Sequence, residues 1–140
     1  MRHSAFVFLG LAAATLFVPA RADDLTGVQR FLCSAGTVSA CCDDGQCASG
    51  TAEELNMPQF VEVDLVAKRV STTKASGLNR TSPIESLKRT DGQVVFQGIE
   101  NGRAYSFLIV EDTGELSVAV AAPGCSITAF GSCTPLAAAK

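Results

Sequence analysis

Glycine-centred turn signals recur along this chain: Asp44-Gly45, Ser76-Gly77, Asp91-Gly92, Asn101-Gly102, Thr113-Gly114 and Pro123-Gly124. From Gly92 onward these glycines follow one another at gaps of 10, 12 and 10 residues. β-Branched and aromatic runs fill the gaps, so the spacing predicts consecutive β-hairpins. Asn101-Gly102 is the most specific signal, because a type I′ turn needs positive φ at both central positions. Treated as a two-residue loop, it opposes Glu100 to Arg103, Val94 to Ile109, Phe96 to Phe107 and Gly98 to Tyr105. The same treatment of Thr113-Gly114 opposes Ile109 to Val118 and Phe107 to Val120. Pro123-Gly124 opposes Val120 to Ile127 and Val118 to Ala129. The three turns together place one continuous apolar face on one side of the sheet, which a slip of one residue at any turn would destroy.

Earlier segments carry weaker patterns. Val61, Val63, Leu65 and Ala67 alternate with Glu62, Asp64, Val66 and Lys68, which predicts a strand. Residues 84–90 predict another after Pro83, and Phe31 to Cys41 a first strand. Thr51-Ala52-Glu53-Glu54 fits either a capped helical turn ended by Pro58 or a loop. Pro135 to Lys140 reads as a tail. The expected fold is all-β: an antiparallel meander of seven to eight strands, as a small up-and-down barrel or a strongly curled sheet.

The N-terminus reads as a secretory leader. Arg2 and His3 precede an apolar run, Phe6 to Val18, and Ala20-Arg21-Ala22 fits a cleavage site. The expected organisation is a signal peptide, 1–22, and one β domain, 23–140, with a short tail from about 135. The run is short for a membrane span, so the expected product is periplasmic or secreted, without a membrane anchor after cleavage. Residues 23–140 carry nine basic and fourteen acidic side chains, a net charge of −5. No basic run tracks a phosphate backbone, which argues against nucleic acid. The only histidine, His3, falls in the leader. Ser-His-Asp and Cys-His catalysis then have no general base, no catalytic spacing is recognisable, and neither enzymatic activity nor a cofactor is expected.

Six cysteines remain: Cys33, Cys41, Cys42, Cys47, Cys125 and Cys133. An even count in an oxidising compartment reads first as disulfides. Cys33 and Cys41 are eight residues apart, as are Cys125 and Cys133. One antiparallel register of the first and last strands therefore brings Cys33 to Cys133 and Cys41 to Cys125. Cys42 and Cys47 are left to clip the Asp43-Asp44-Gly45-Gln46 turn. The rival reading is a thiolate site for copper(I) or zinc at Cys41, Cys42 and Cys47, helped by Asp43 and Asp44.

Three further features bear on partners. Phe96, Tyr105 and Phe107 either fill the core or line a ligand cavity. Val95, Leu108, Val110 and Ala119 fall on the opposite face, as an apolar stripe that would suit a partner. Asn79-Arg80-Thr81 matches a glycosylation sequon. The Cys42-Asp43-Asp44-Gly45-Gln46-Cys47 stretch and the closing Phe130-Gly131-Ser132-Cys133 resemble small uncharacterised envelope proteins of Gram-negative bacteria, a resemblance that implies no activity. Asn101-Gly102-Arg103-Ala104-Tyr105 is similar to the Ser-Gly-x-x-Tyr loop of periplasmic C-type lysozyme inhibitors, with Asn101 in place of the serine. The expected role is a non-catalytic β domain that binds a macromolecular partner or a small apolar ligand. Metal handling by the cysteine cluster is the first alternative and lysozyme inhibition the second. Oligomeric state is not legible here.

Overall fold

Alternating apolar residues between tight turns build ten strands in a computed structural model, which describes residues 23–136. The strands are β1 (Arg30–Cys42), β2 (Cys47–Gly50), β3 (Phe60–Asp64), β4 (Arg69–Thr72), β5 (Thr81–Pro83), β6 (Ser86–Thr90), β7 (Gln93–Glu100), β8 (Arg103–Val110), β9 (Glu115–Ala122) and β10 (Cys125–Pro135). They form one antiparallel sheet in the order β5-β4-β3-β1-β10-β9-β8-β7-β6, with β2 beside the second half of β1. The sheet is strongly curled. Residues 1–22, where a leader is expected, and the last four residues lie outside the described part. Pro135 is no tail: it ends β10 opposite Phe31, and the Leu136 N–H donates to the Arg30 carbonyl at 3.0 Å.

Ten strands replace the expected seven to eight because β2, β4 and β5 fall outside the stretches expected to be extended. The alternation from Val61 to Lys68 breaks at Asp64, whose carboxylate accepts the Ala67 N–H at 2.8 Å. Lys68 follows at φ 50°, and β4 returns beside β3. A polar residue on the outer face of a strand and a turn-initiating aspartate look alike in sequence. The stretch from β5 to β6 closes the curl. Thr81–Pro83 pairs with β4, and the Ile84 N–H donates to the Lys68 carbonyl at 2.9 Å. One residue on, the Glu85 N–H donates to the Gln97 carbonyl at 2.8 Å, and Ser86–Thr90 pairs with β7. One extended stretch thus changes partner between Ile84 and Glu85 and ties the two ends of the sheet together. Gly98 permits the approach, since a Cβ there would lie 2.2 Å from the Pro83 carbonyl oxygen.

The hairpin registers follow the turn chemistry. Asn101 and Gly102 both have positive φ, 48° and 72°, and β7 pairs with β8 as the two-residue loop predicts. The β9–β10 pairs, Val120 with Ile127 and Val118 with Ala129, also match. Between β8 and β9 the pairing is two residues away from expectation: Ile109 faces Leu116 and Phe107 faces Val118. The loop runs from Glu111 to Gly114, closed by the Gly114 N–H on the Val110 carbonyl at 2.8 Å. An even shift keeps every side chain on its face, so the apolar face survives the correction.

The disulfides are Cys33–Cys133, Cys41–Cys47 and Cys42–Cys125. The first joins the pair read from register. The other two correct the expected 41–125 and 42–47 pairing, and the cause is a β-bulge at Gly36. Ala35 faces Gly131 but Thr37 faces Phe130, so Gly36 is one residue without an opposite number. Before the bulge, odd-numbered residues point inward; after it, even-numbered ones do. Cys42 therefore turns inward onto Cys125, while Cys41 turns outward, across the β1–β2 hairpin from Cys47.

The core occupies one end of the curl. Leu25, Phe31, Val63, Val94, Phe96 and Ile109 are fully buried there. The N-terminal segment seals that end, its Leu25 N–H bonded to the Glu111 carbonyl. Arg89 holds it in place: Nη2 donates to the Val28 carbonyl at 2.6 Å, and Nε lies 2.9 Å from Oε1 of buried Glu111. That ion pair is close but lacks hydrogen-bond alignment, since Glu111 Oε1 has no hydrogen-bond partner among the described residues.

Candidate functional site

The other end of the curl is not filled. Inward residues that are aromatic or long at the sealed end give way to Ala35, Val118, Val120 and Ala129, and small side chains leave space that close packing would otherwise exclude. The result is a cavity of roughly 170 Å³. Cys33, Phe107, Leu116 and Val118 are among the apolar residues of its wall. Phe96 belongs to the core, stacked on Phe107 with ring centroids 4.8 Å apart. Tyr105 and Phe107 line the cavity, meeting edge to face at 5.7 Å. The two readings of this aromatic trio are thus divided between its members.

The segment between β2 and β3 reaches the cavity as well. Thr51 and Glu54 cap each other reciprocally: the Thr51 N–H donates to Glu54 Oε2 at 2.8 Å, and the Glu54 N–H donates to Thr51 Oγ1 at 3.3 Å. The Thr51 N–H, and then the Thr51 hydroxyl, which donates to Glu54 Oε2 at 3.1 Å, hold the Glu54 carboxyl below its ordinary range. The turn they fix presses Ala52, Leu55 and Met57 onto the cluster around Val38 and Ala129. Asn56, Met57, Pro58 and Gln59 then contribute to the cavity lining.

Polar groups complete the lining. Arg80 Nη2 lies 3.4 Å from Glu100 Oε2, and Ser82 Oγ donates to the same carboxylate oxygen. The Tyr105 hydroxyl donates to the Pro83 carbonyl, bridging the seam of the curl. Burial, and then the negative charges of Glu100 and Glu85, push the Tyr105 hydroxyl up to about 12 from its ordinary 10.0. Tyr105 is the only tyrosine and tryptophan is absent, so its absorbance and fluorescence report this site alone. Tyrosinate absorbance is expected to rise with a midpoint near pH 12 in the folded protein and near pH 10 in urea. A folded midpoint at pH 10 would contradict the half-buried, bridged hydroxyl. The folded value lies above the unfolded one, so the stability it contributes is complete below pH 10 and is lost as pH rises to 12.

The residues singled out from sequence are distributed as follows. All six cysteines are disulfide-bonded, so Cys41, Cys42 and Cys47 present no thiolate. Asp44 accepts the Gln46 N–H at 2.9 Å as turn chemistry. Among the described residues no group of three or more histidine, cysteine or acidic side chains is placed to hold a metal ion. Val95 and Leu108 face each other on the outer side of the sheet, both half-buried, with half-buried Val110 and exposed Ala119 on the adjoining positions. Phe130, 60% exposed, extends that row beyond Ser117 and was not among the residues expected there. Asn101-Gly102 is the β7–β8 turn, and Tyr105 lies inside β8. Arg80, Glu100 and Arg103 were missed as site residues. In sequence Arg80 belongs to a sequon, and the other two merely flank a turn.

No protein-family model matches this sequence, and no curated protein is significantly similar to it. The geometry alone carries the functional reading. No helix among the described residues is long and apolar enough to cross a membrane.

Proposed function

We propose that residues 23–140 form a non-catalytic periplasmic or secreted domain whose cavity binds a small apolar ligand. The observation that carries this is an apolar cavity of roughly 170 Å³ at one end of an otherwise sealed curl. A dry cavity of about 150 Å³ in another protein accommodates a benzene ring, which sets the size of the group this one takes. Three disulfides support an oxidising compartment, and the leader read in residues 1–22 supports export.

The test uses uncharged 1-hexanol and benzene. At a hundred times its dissociation constant a ligand that binds only the folded state stabilises it by about 2.7 kcal/mol. That shift is visible as a rise in melting temperature, accompanied by a change in Tyr105 fluorescence. Val120 is half-buried on the cavity wall, between Tyr105 and Ile127 in register. Val120→Phe is expected to occupy the space, abolish both responses and leave the melting temperature within a few degrees. Absence of any response in the native protein up to the solubility of the probes would sink the proposal. A second reading, a protein partner on the outer face, is supported by exposed Phe130 beside the Val95–Leu108 row. Phe130→Glu is expected to abolish such binding while the hexanol response stays intact.

A further inference from the structure

The charged side chains that line the cavity are Arg80, Arg103 and Glu100. Glu100 is already engaged by Arg80 and Ser82. Arg103 stands opposite Glu100 across the Asn101-Gly102 turn, yet it is exposed. It takes part in none of the ion pairs or side-chain hydrogen bonds among the described residues. A guanidinium stays protonated across the whole accessible pH range. The lining therefore carries a net positive charge, on a chain whose residues 23–140 total −5. A locally positive site on an acidic chain, directly beside an apolar cavity, is complementary to an anion with an apolar tail.

We infer that the ligand is a small amphipathic carboxylate. Its tail of about six carbons, the size set by the comparison with benzene, fills the cavity. Its carboxylate accepts a two-pronged hydrogen bond from the Arg103 guanidinium. This assignment rests on the cavity-binding function proposed above and specifies the chemistry of the ligand's polar end.

The disulfide-bonded protein is titrated with sodium hexanoate and with 1-hexanol at neutral pH, followed by calorimetry and Tyr105 fluorescence. Both probes carry the same tail and differ in charge. Hexanoate is expected to bind at least about tenfold more tightly, the lower bound for a charge-assisted contact at an exposed guanidinium. Arg103→Gln is expected to bring the affinity for hexanoate down to that for hexanol, and Arg103→Lys to restore part of the preference. Arg103 is exposed, so neither substitution threatens the fold. Equal affinity for the two probes, or a preference that persists in Arg103→Gln, overturns the carboxylate assignment while leaving the apolar cavity standing. Failure of both probes to bind overturns the cavity function, and the assignment with it.

Discussion

Replacing Cys33 and Cys133 together by alanine is expected to destabilise the domain by about 4–5 kcal/mol, the chain-entropy value for a closed loop of this size. The two residues are 100 apart in sequence, and their disulfide links β1 to β10, the first strand to the last. Both side chains are 1% exposed, so lost packing adds to the entropy. A domain of this length has about 5–15 kcal/mol of stability in all, and the double variant should unfold at low urea or fail to accumulate. Removing Cys41–Cys47, which spans only six residues, should cost about 2 kcal/mol by the same relation. Urea titration of both variants checks the ordering. Equal losses would mean that loop closure is not how the long disulfide acts.

The second large effect is expected at Gly131. A Cβ there would lie 1.8 Å from the Ser34 carbonyl oxygen, 2.9 Å from its carbon and 3.2 Å from the Ala35 Cα. All three are backbone atoms of β1 beside the bulge, so no side-chain rotation relieves the clash. Gly131→Ala must push β1 and β10 apart where they are pinned by disulfides on either side, and should cost about 3 kcal/mol, the upper range for overpacking. Gly36→Ala is the control: its Cβ would meet only the Phe130 carbonyl oxygen, at 3.4 Å, and should cost under about 1 kcal/mol. If the urea midpoints of the two variants coincide, the close approach at Gly131 is not a structural requirement.

The meander and its inner face were legible because turn chemistry and alternation are local. Asn101-Gly102 dictates its own geometry, and the face of each flanking residue follows from counting. Even the misplaced β8–β9 loop left the face intact, since its error was two residues. The bulge defeated the disulfide pairing because it is a single residue, and parity then reverses for everything beyond it. The hint was present: an isolated glycine inside a strand pattern often marks a bulge, and Gly36 was read as ordinary strand. The cavity was not legible for a different reason. It arises from residue sizes compared across strands distant in the chain, Ala35 against Ala129 and Val118. Its charged lining joins Arg80 to Glu100 across a separation of twenty residues, a pairing that exists only once residues 81–90 have closed the curl.

That shared stretch has a consequence for behaviour at high concentration. An antiparallel sheet invites foreign strands wherever a long row of backbone donors and acceptors lies open. Here the terminal strands β5 and β6 are three and five residues long, and the chain joining them turns both toward their own molecule. The side strand β2 is four residues long. A neighbouring molecule finds no template long enough to extend, so the domain is built to resist strand-to-strand association even though its regular structure is almost entirely β.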